Sequence, residues 1–310
     1  MSSRAVRKIA RYSVYIACRA MSAGLGYALS VIGIATGSDF GRLVALLDAA
    51  KPLSGLFDAL ALRANGRVIA YEMLLVKAVL LLLALAAISV MASGVATVGV
   101  IAVYVVLWWI LTSYSTVFMR KQGVTQYGRL ARHTGFLLRC GIRRTLTNRS
   151  TLMFMVTSTT AAAAYASLYL FNWTKEALLA LRLIDATLLL VSFTAQLVIR
   201  GEFLSRTTIV GTALVTFVAA AVAQHLAGGL FGSFLLFRVG SLFACARAMK
   251  NRSDRLISLN QALLAAAYLV FGTWATDAHS MYALLVVECV SLFTLVKFGG
   301  SADRTNATAS

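Results

Sequence analysis

The sequence predicts an all-α, polytopic membrane protein of about ten transmembrane helices. Mean hydropathy is +0.81 over 310 residues and only 13% of residues are charged. A soluble domain needs more polar surface than this to cover its core. Apolar stretches of about 20 residues, enough to cross ~30 Å of hydrocarbon, recur along the whole chain. The basic residues also gather in alternate connections, as they do in the cytoplasmic loops of membrane proteins.

The spans are read at 12–36, 40–62, 70–91, 95–118, 151–171, 178–199, 207–226, 229–246, 256–275 and 279–297. The first follows a basic tail. Its apolar part continues to about Thr36, too far for the core of a signal peptide. The second is interrupted by Arg42, Asp48, Lys51 and Asp58, and the eighth by Arg238. With the N-terminus placed in the cytoplasm, 22 of the 29 Lys and Arg fall in cytoplasmic segments and only Lys175 falls in an outward turn. Both termini are therefore expected to be cytoplasmic. The formal charge of +18 follows from this loop bias. Because the charges are spread over many short loops, nucleic acid is not expected as a partner.

The chain is read as a first lobe of four spans (1–118), a basic connection (119–150), a second lobe of six spans (151–298) and a tail (299–310). The connection holds eight of the basic residues and no acid. Its stretch "YGRLARHTGFLLRCGIRR" sets apolar residues at helical intervals among arginines. That pattern predicts an amphipathic helix on the inner membrane face, where anionic headgroups attract it, or a plain basic linker.

The other six cations, Arg19, Arg42, Lys51, Lys77, Arg182 and Arg238, lie inside predicted spans. An ionisable group at bilayer depth costs ~2.5–3.5 kcal/mol on insertion scales, so it faces protein or water instead of lipid. Arg42 and Arg182 sit near outer ends, within snorkelling reach. Arg19, Lys51, Lys77 and Arg238 lie ~10–17 Å from an interface, as do Asp48 and Glu288. These four cations are the candidate ligand-binding groups, with Asp48 and Glu288 as cavity acids or coupling groups. A positive aqueous cavity of this kind suits an anionic substrate such as a phosphate or pyrophosphate. Asp48 with Lys51, and Arg182 with Asp185, are one turn apart on a helix. Each pair either neutralises itself or lines the cavity.

Other chemistry finds little support. Cys18, Cys140, Cys245 and Cys289 have no metal-ligand spacing and read as small apolar residues. His133, His225 and His279 are scattered. No metal or cofactor is expected. A membrane-embedded glycosyl- or acyltransferase would need clustered acids, or a histidine with an acid, near a membrane face. Only His279 and Asp277 come close, and a solvated turn accounts for them, so the chain is not read as an enzyme.

Three stretches carry a resemblance. "ACRAMSAGLGYALSVIGIATG" is followed by Asp39, Phe40 and Gly41 and an apolar helix. "LWWILTSYSTVFMRKQGVTQYGRLAR" (107–132) is an apolar helix with a basic exit. Residues 143–206 include "EALLALRLIDATLLL", which echoes Asp39–Leu47. Together they resemble the polysaccharide (lipid-linked oligosaccharide) flippases of the multidrug/oligosaccharidyl-lipid/polysaccharide exporter superfamily, in shortened form. The resemblance implies two lobes around a central cavity in a bacterial inner membrane. It also implies a polyprenyl-pyrophosphate-linked saccharide as cargo, moved by alternating access, and a polysaccharide polymerase or glycosyltransferase as partner. Two departures stand out. Ten spans replace the family's twelve to fourteen, and Pro52 is the only proline. They motivate the alternative of a non-transporting relative that acts as a scaffold in polysaccharide assembly.

Overall fold

The computed structural model describes residues 17–18, 21, 24, 26–37, 42–49, 67–93, 96–119, 124–170, 173–199, 206–228, 230–250, 253–274 and 278–299. Among them every regular element is helical. They are α1 (26–35), α2 (42–49), α3 (Arg67–Ser93), α4 (Ala96–Met119), α5 (Val124–Arg132), α6 (Thr134–Thr147), α7 (Arg149–Ala166) with a 3₁₀ turn (Ser167–Leu170), α8 (Lys175–Ile199), α9 (Arg206–Ala227), α10 (Phe231–Lys250), α11 (Asp254–Trp274) and α12 (Ala278–Gly299). In hydrocarbon no water can satisfy a free peptide group, so an apolar run must close its hydrogen bonds internally, as a helix does. Helix ends fall where local chemistry stops them. The Thr174 hydroxyl accepts the Ala177 N–H (3.2 Å) at the start of α8, and the Asn148 side-chain Oδ1 accepts the Thr151 N–H (3.2 Å) at the start of α7. Gly228, at φ +69°, closes α9 with its N–H on the Gln224 carbonyl (2.8 Å), a left-handed C-cap position that favours glycine.

Among the described residues, five helical stretches are long and apolar enough to cross a membrane: Val68–Ala87, Arg149–Tyr169, Ile209–Ala227, Phe231–Lys250 and Met281–Phe298. Their outward faces are apolar. On α9, Val210, Leu214 and Phe217 are exposed while Thr216, Ala219 and Ala223 face inward. Water would drive the opposite arrangement, whereas lipid tails solvate it freely. The chain is a helical membrane protein.

The molecule divides into two compact units, residues 1–26 with 57–152, and residues 27–56 with 153–310. Residues 27–56, which the sequence groups with a first lobe ending at 118, thus belong with the later helices. In the first unit α3 packs along α4, and α6 docks on α3. Leu137, Gly141 and Thr145, four residues apart, form the buried face of α6. A Cβ on Gly141 would stand 2.9 Å from the Glu72 carbonyl oxygen, so only glycine lets the two backbones come this close. Tyr71, Leu75 and Leu137 form a core joined by Trp109 and Tyr127. The connection predicted at 119–150 is thus two helices, with α6 attached to a membrane-spanning helix.

In the second unit α10 is central and packs against α8, α9, α11 and α12. Its tightest approach is to α9. A Cβ on Gly232 would fall 2.6 Å from the Ala220 carbonyl oxygen. Gly232→Ala is therefore expected to destabilise the protein by ~1–3 kcal/mol, because neither backbone can move without repacking. Gly240→Ala meets only the side chain of Leu292, at 3.1 Å, and should be milder. Thermal unfolding of the two detergent-purified variants checks this order.

Candidate functional site

Five of the charges predicted to be out of place in a membrane, Asp48, Arg182, Asp185, Arg238 and Glu288, come together inside the second unit. Arg182, on α8, is 2% exposed. All three of its guanidinium nitrogens are engaged. Nη2 donates to Asp48 Oδ2 of α2 at 2.8 Å, Nε to Ser30 Oγ of α1 at 2.7 Å, and Nη1 to Asp185 Oδ2, one turn along α8, at 3.4 Å. The Tyr27 ring lies 5.4 Å from the guanidinium carbon. Asp185 is equally well satisfied. Tyr165 donates its hydroxyl to Oδ1 (2.7 Å), and Tyr169 donates to Oδ2 (2.6 Å). Tyr165 and Tyr169 are four residues apart, and the passage from α7 into the 3₁₀ turn carries both hydroxyls to the same carboxylate.

The second centre joins α10, α11 and α12. Arg238 Nη1 donates to Glu288 Oε1, and the Tyr268 hydroxyl donates to the same oxygen. Arg238 is 3% exposed and Glu288 is fully buried. The guanidinium carbon sits 5.0 Å from the Tyr165 ring and 5.3 Å from the Tyr268 ring, and these two rings meet edge to face at 5.2 Å. Tyr165 therefore bridges the centres, with its hydroxyl on Asp185 and its ring on Arg238.

The two centres differ in completeness. At the second, Arg238 Nη2 and Glu288 Oε2 are buried without a hydrogen-bond partner among the described residues, as is Asn260 Nδ2. Arg238, Ser241, Cys245, Asn260 and Gln261 line a small cavity of about 10 Å³ there, room for about one water. The first centre is a saturated tie. The second has spare hydrogen-bonding capacity.

These positions revise several expectations. Arg238 takes its protein partner from another helix, Glu288 of α12, fifty residues away in the chain. Arg182 does not snorkel from an outer end; it is buried and neutralised by Asp48 as well as by Asp185. Asp48 meets Arg182 from a position 134 residues away, while its predicted pairing with Lys51 lies outside the described residues. Lys77 belongs to the first unit, buried, with its ammonium 4.8 Å from the Trp108 ring centroid. Arg19 and Lys51 lie outside the described residues. The tyrosines went unremarked in the sequence, although two of them four residues apart within an apolar helix are a readable signal. Glu72 was also missed. It is 3% exposed on its side chain and lies 3.2 Å from Arg144 Nε of α6. Among the described residues no cluster of His, Cys, Asp or Glu has the makings of a metal site.

Fold and site together define a helical membrane protein whose second unit is built on a tyrosine-bridged, buried ion-pair network. No protein-family model, curated protein or solved structure matches the chain.

Proposed function

We propose that the chain carries an anionic, polyprenyl-pyrophosphate-linked saccharide across a bacterial inner membrane by alternating access. The observation that carries this reading is the incomplete Arg238–Glu288 centre, where a buried guanidinium nitrogen and a buried carboxylate oxygen remain unpartnered beside a small polar cavity. A protein that only had to fold gains more from apolar side chains at such a place. Buried charge with unused hydrogen-bonding capacity marks a site that changes partners as a carrier changes state. The sequence resemblance names the class of cargo.

A second reading, a non-transporting scaffold for polysaccharide assembly, is favoured by a different observation. Arg182 has a partner on every nitrogen, as a structural tie requires. One experiment separates the two. The purified protein is reconstituted in vesicles with a fluorescent polyprenyl-pyrophosphate-linked saccharide, and the fraction of label protected from an external quencher is followed in time. Wild-type protein should exchange the label across the bilayer. Arg238→Leu with Glu288→Leu, which leaves no buried charge at this centre, should fold and exchange at least ten-fold more slowly. Exchange at the protein-free rate by wild-type protein would favour the scaffold. Full exchange by the double variant would remove this centre from the mechanism.

A further inference from the structure

The face of α6 that points away from α3 has no occupant among the described residues, and its chemistry specifies one. Arg139, Ile142, Arg143 and Leu146 follow at intervals of three and four residues, and Phe136 precedes Arg139 by three, so all five share one side of the helix. Phe136 is 67% exposed and Leu146 61%, with Ile142 also exposed. Arg129 and Arg132 of α5, Arg139 and Arg143 of α6, and Arg149 at the start of α7 are exposed as well, and residues 119–150 contain no acid to neutralise them.

The opposite side fixes the depth of this helix. Gly141 packs on the backbone of Glu72 and on Val76. Tyr71 shares a hydroxyl contact of 3.2 Å with Thr134, and Glu72 lies 3.2 Å from Arg144. The apolar span of α3 runs Val68–Ala87. All the partners of α6 on α3 are thus within the first nine residues of that span, ~4–12 Å from its end at ~1.5 Å per residue. A helix held there lies at the boundary between headgroups and acyl chains.

We propose that the outward face of α6, with the neighbouring arginines of α5, is a binding surface for anionic phospholipid. The arginines take the headgroup phosphates, and Phe136, Ile142 and Leu146 enter the upper acyl region. Three large exposed apolar side chains among the arginines favour a bilayer over a nucleic acid, which would leave them in water. An acidic protein would leave α6 unsolvated at the depth that its attachment to α3 sets. This surface does not depend on what the protein carries.

Native mass spectrometry of the full chain, purified in detergent and titrated with an equal mixture of phosphatidylglycerol and phosphatidylcholine, tests the proposal. Wild-type protein should retain phosphatidylglycerol preferentially. Arg139→Gln with Arg143→Gln should reduce that preference roughly 30-fold, the factor that ~1 kcal/mol for each of two basic residues represents. Arg139→Lys with Arg143→Lys should restore most of it. Phe136→Ser with Leu146→Ser should weaken retention of both lipids several-fold, since the acyl contact is lost. All the altered side chains are exposed, so each variant should keep the wild-type unfolding temperature. Equal retention of the two lipids by wild-type protein would overturn the assignment, as would an unchanged preference in the glutamine variant. So would an unchanged preference accompanied by lost binding of a short RNA or an acidic peptide, which would give the surface to a polyanion instead.

Discussion

Arg182→Ala is expected to destabilise the detergent-purified protein by ~3–5 kcal/mol, or to prevent its accumulation in the membrane. The guanidinium ties α1, α2 and α8 together through Ser30, Asp48 and Asp185. Removing it takes the neutralising charge from beside two buried carboxylates at once, and a buried ion without its counter-charge costs far more than a lost contact. Arg182→Lys should recover little, because one ammonium cannot reach three acceptors arranged around a planar fork. Asp185→Asn should be milder. The amide keeps an oxygen for one tyrosine hydroxyl, and Asp48 still faces Arg182. The check is the thermal unfolding midpoint of the three variants, together with their yield from membranes. Wild-type stability in Arg182→Ala would mean that the network is not what holds these helices.

At the second centre the expectation is a strong non-additivity. Arg238→Leu alone leaves Glu288 fully buried beside a single tyrosine donor, and Glu288→Leu alone leaves a buried guanidinium among aromatic rings. Each should cost ~3–5 kcal/mol. The double replacement leaves no charge to solvate and fills the space with side chains suited to a helical core. It is expected to lie within ~1 kcal/mol of wild type or above it, since apolar replacement of a whole buried pair is often neutral or stabilising. A double-mutant cycle on thermal stability measures this coupling directly. Additive losses would show that the two side chains do not depend on each other. The same double variant has no reason to keep the activity if this centre changes partners during transport. Fold retained with transport lost is the pattern that separates a working site from a structural one.

The contrast between the centres also explains why charge survives in this core. A hydrophobic side chain would serve stability at Arg238 and Glu288 at least as well. At Arg182 no single replacement would, because three elements converge on one planar group with fixed donor directions. The tyrosines extend the logic. Tyr165, Tyr169 and Tyr268 bring hydroxyl donors into hydrocarbon on large apolar bodies, which satisfies the carboxylates without adding further charge.

The sequence by itself determined the helical membrane class and the place of several helices. Hydrocarbon permits apolar chain only as closed hydrogen-bonded segments, so hydropathy maps directly onto helices: the stretch read at 207–226 is α9, Arg206–Ala227, and 279–297 is α12, Ala278–Gly299. It also marked Asp48, Arg182, Asp185, Arg238 and Glu288 as out of place, because the cost of burying an ion belongs to each residue and its depth alone. The Arg182–Asp185 contact is local to one helical turn; only the tertiary structure decided the other partners. Neighbours on one helix are all that a linear pattern can display. The contact between Asp48 and Arg182 spans 134 residues, and it arises from α2 packing beside α8. Glu72 escaped notice for the same reason. The docking of α6, allowed by the missing side chain at Gly141, buries it near the end of its span and supplies Arg144.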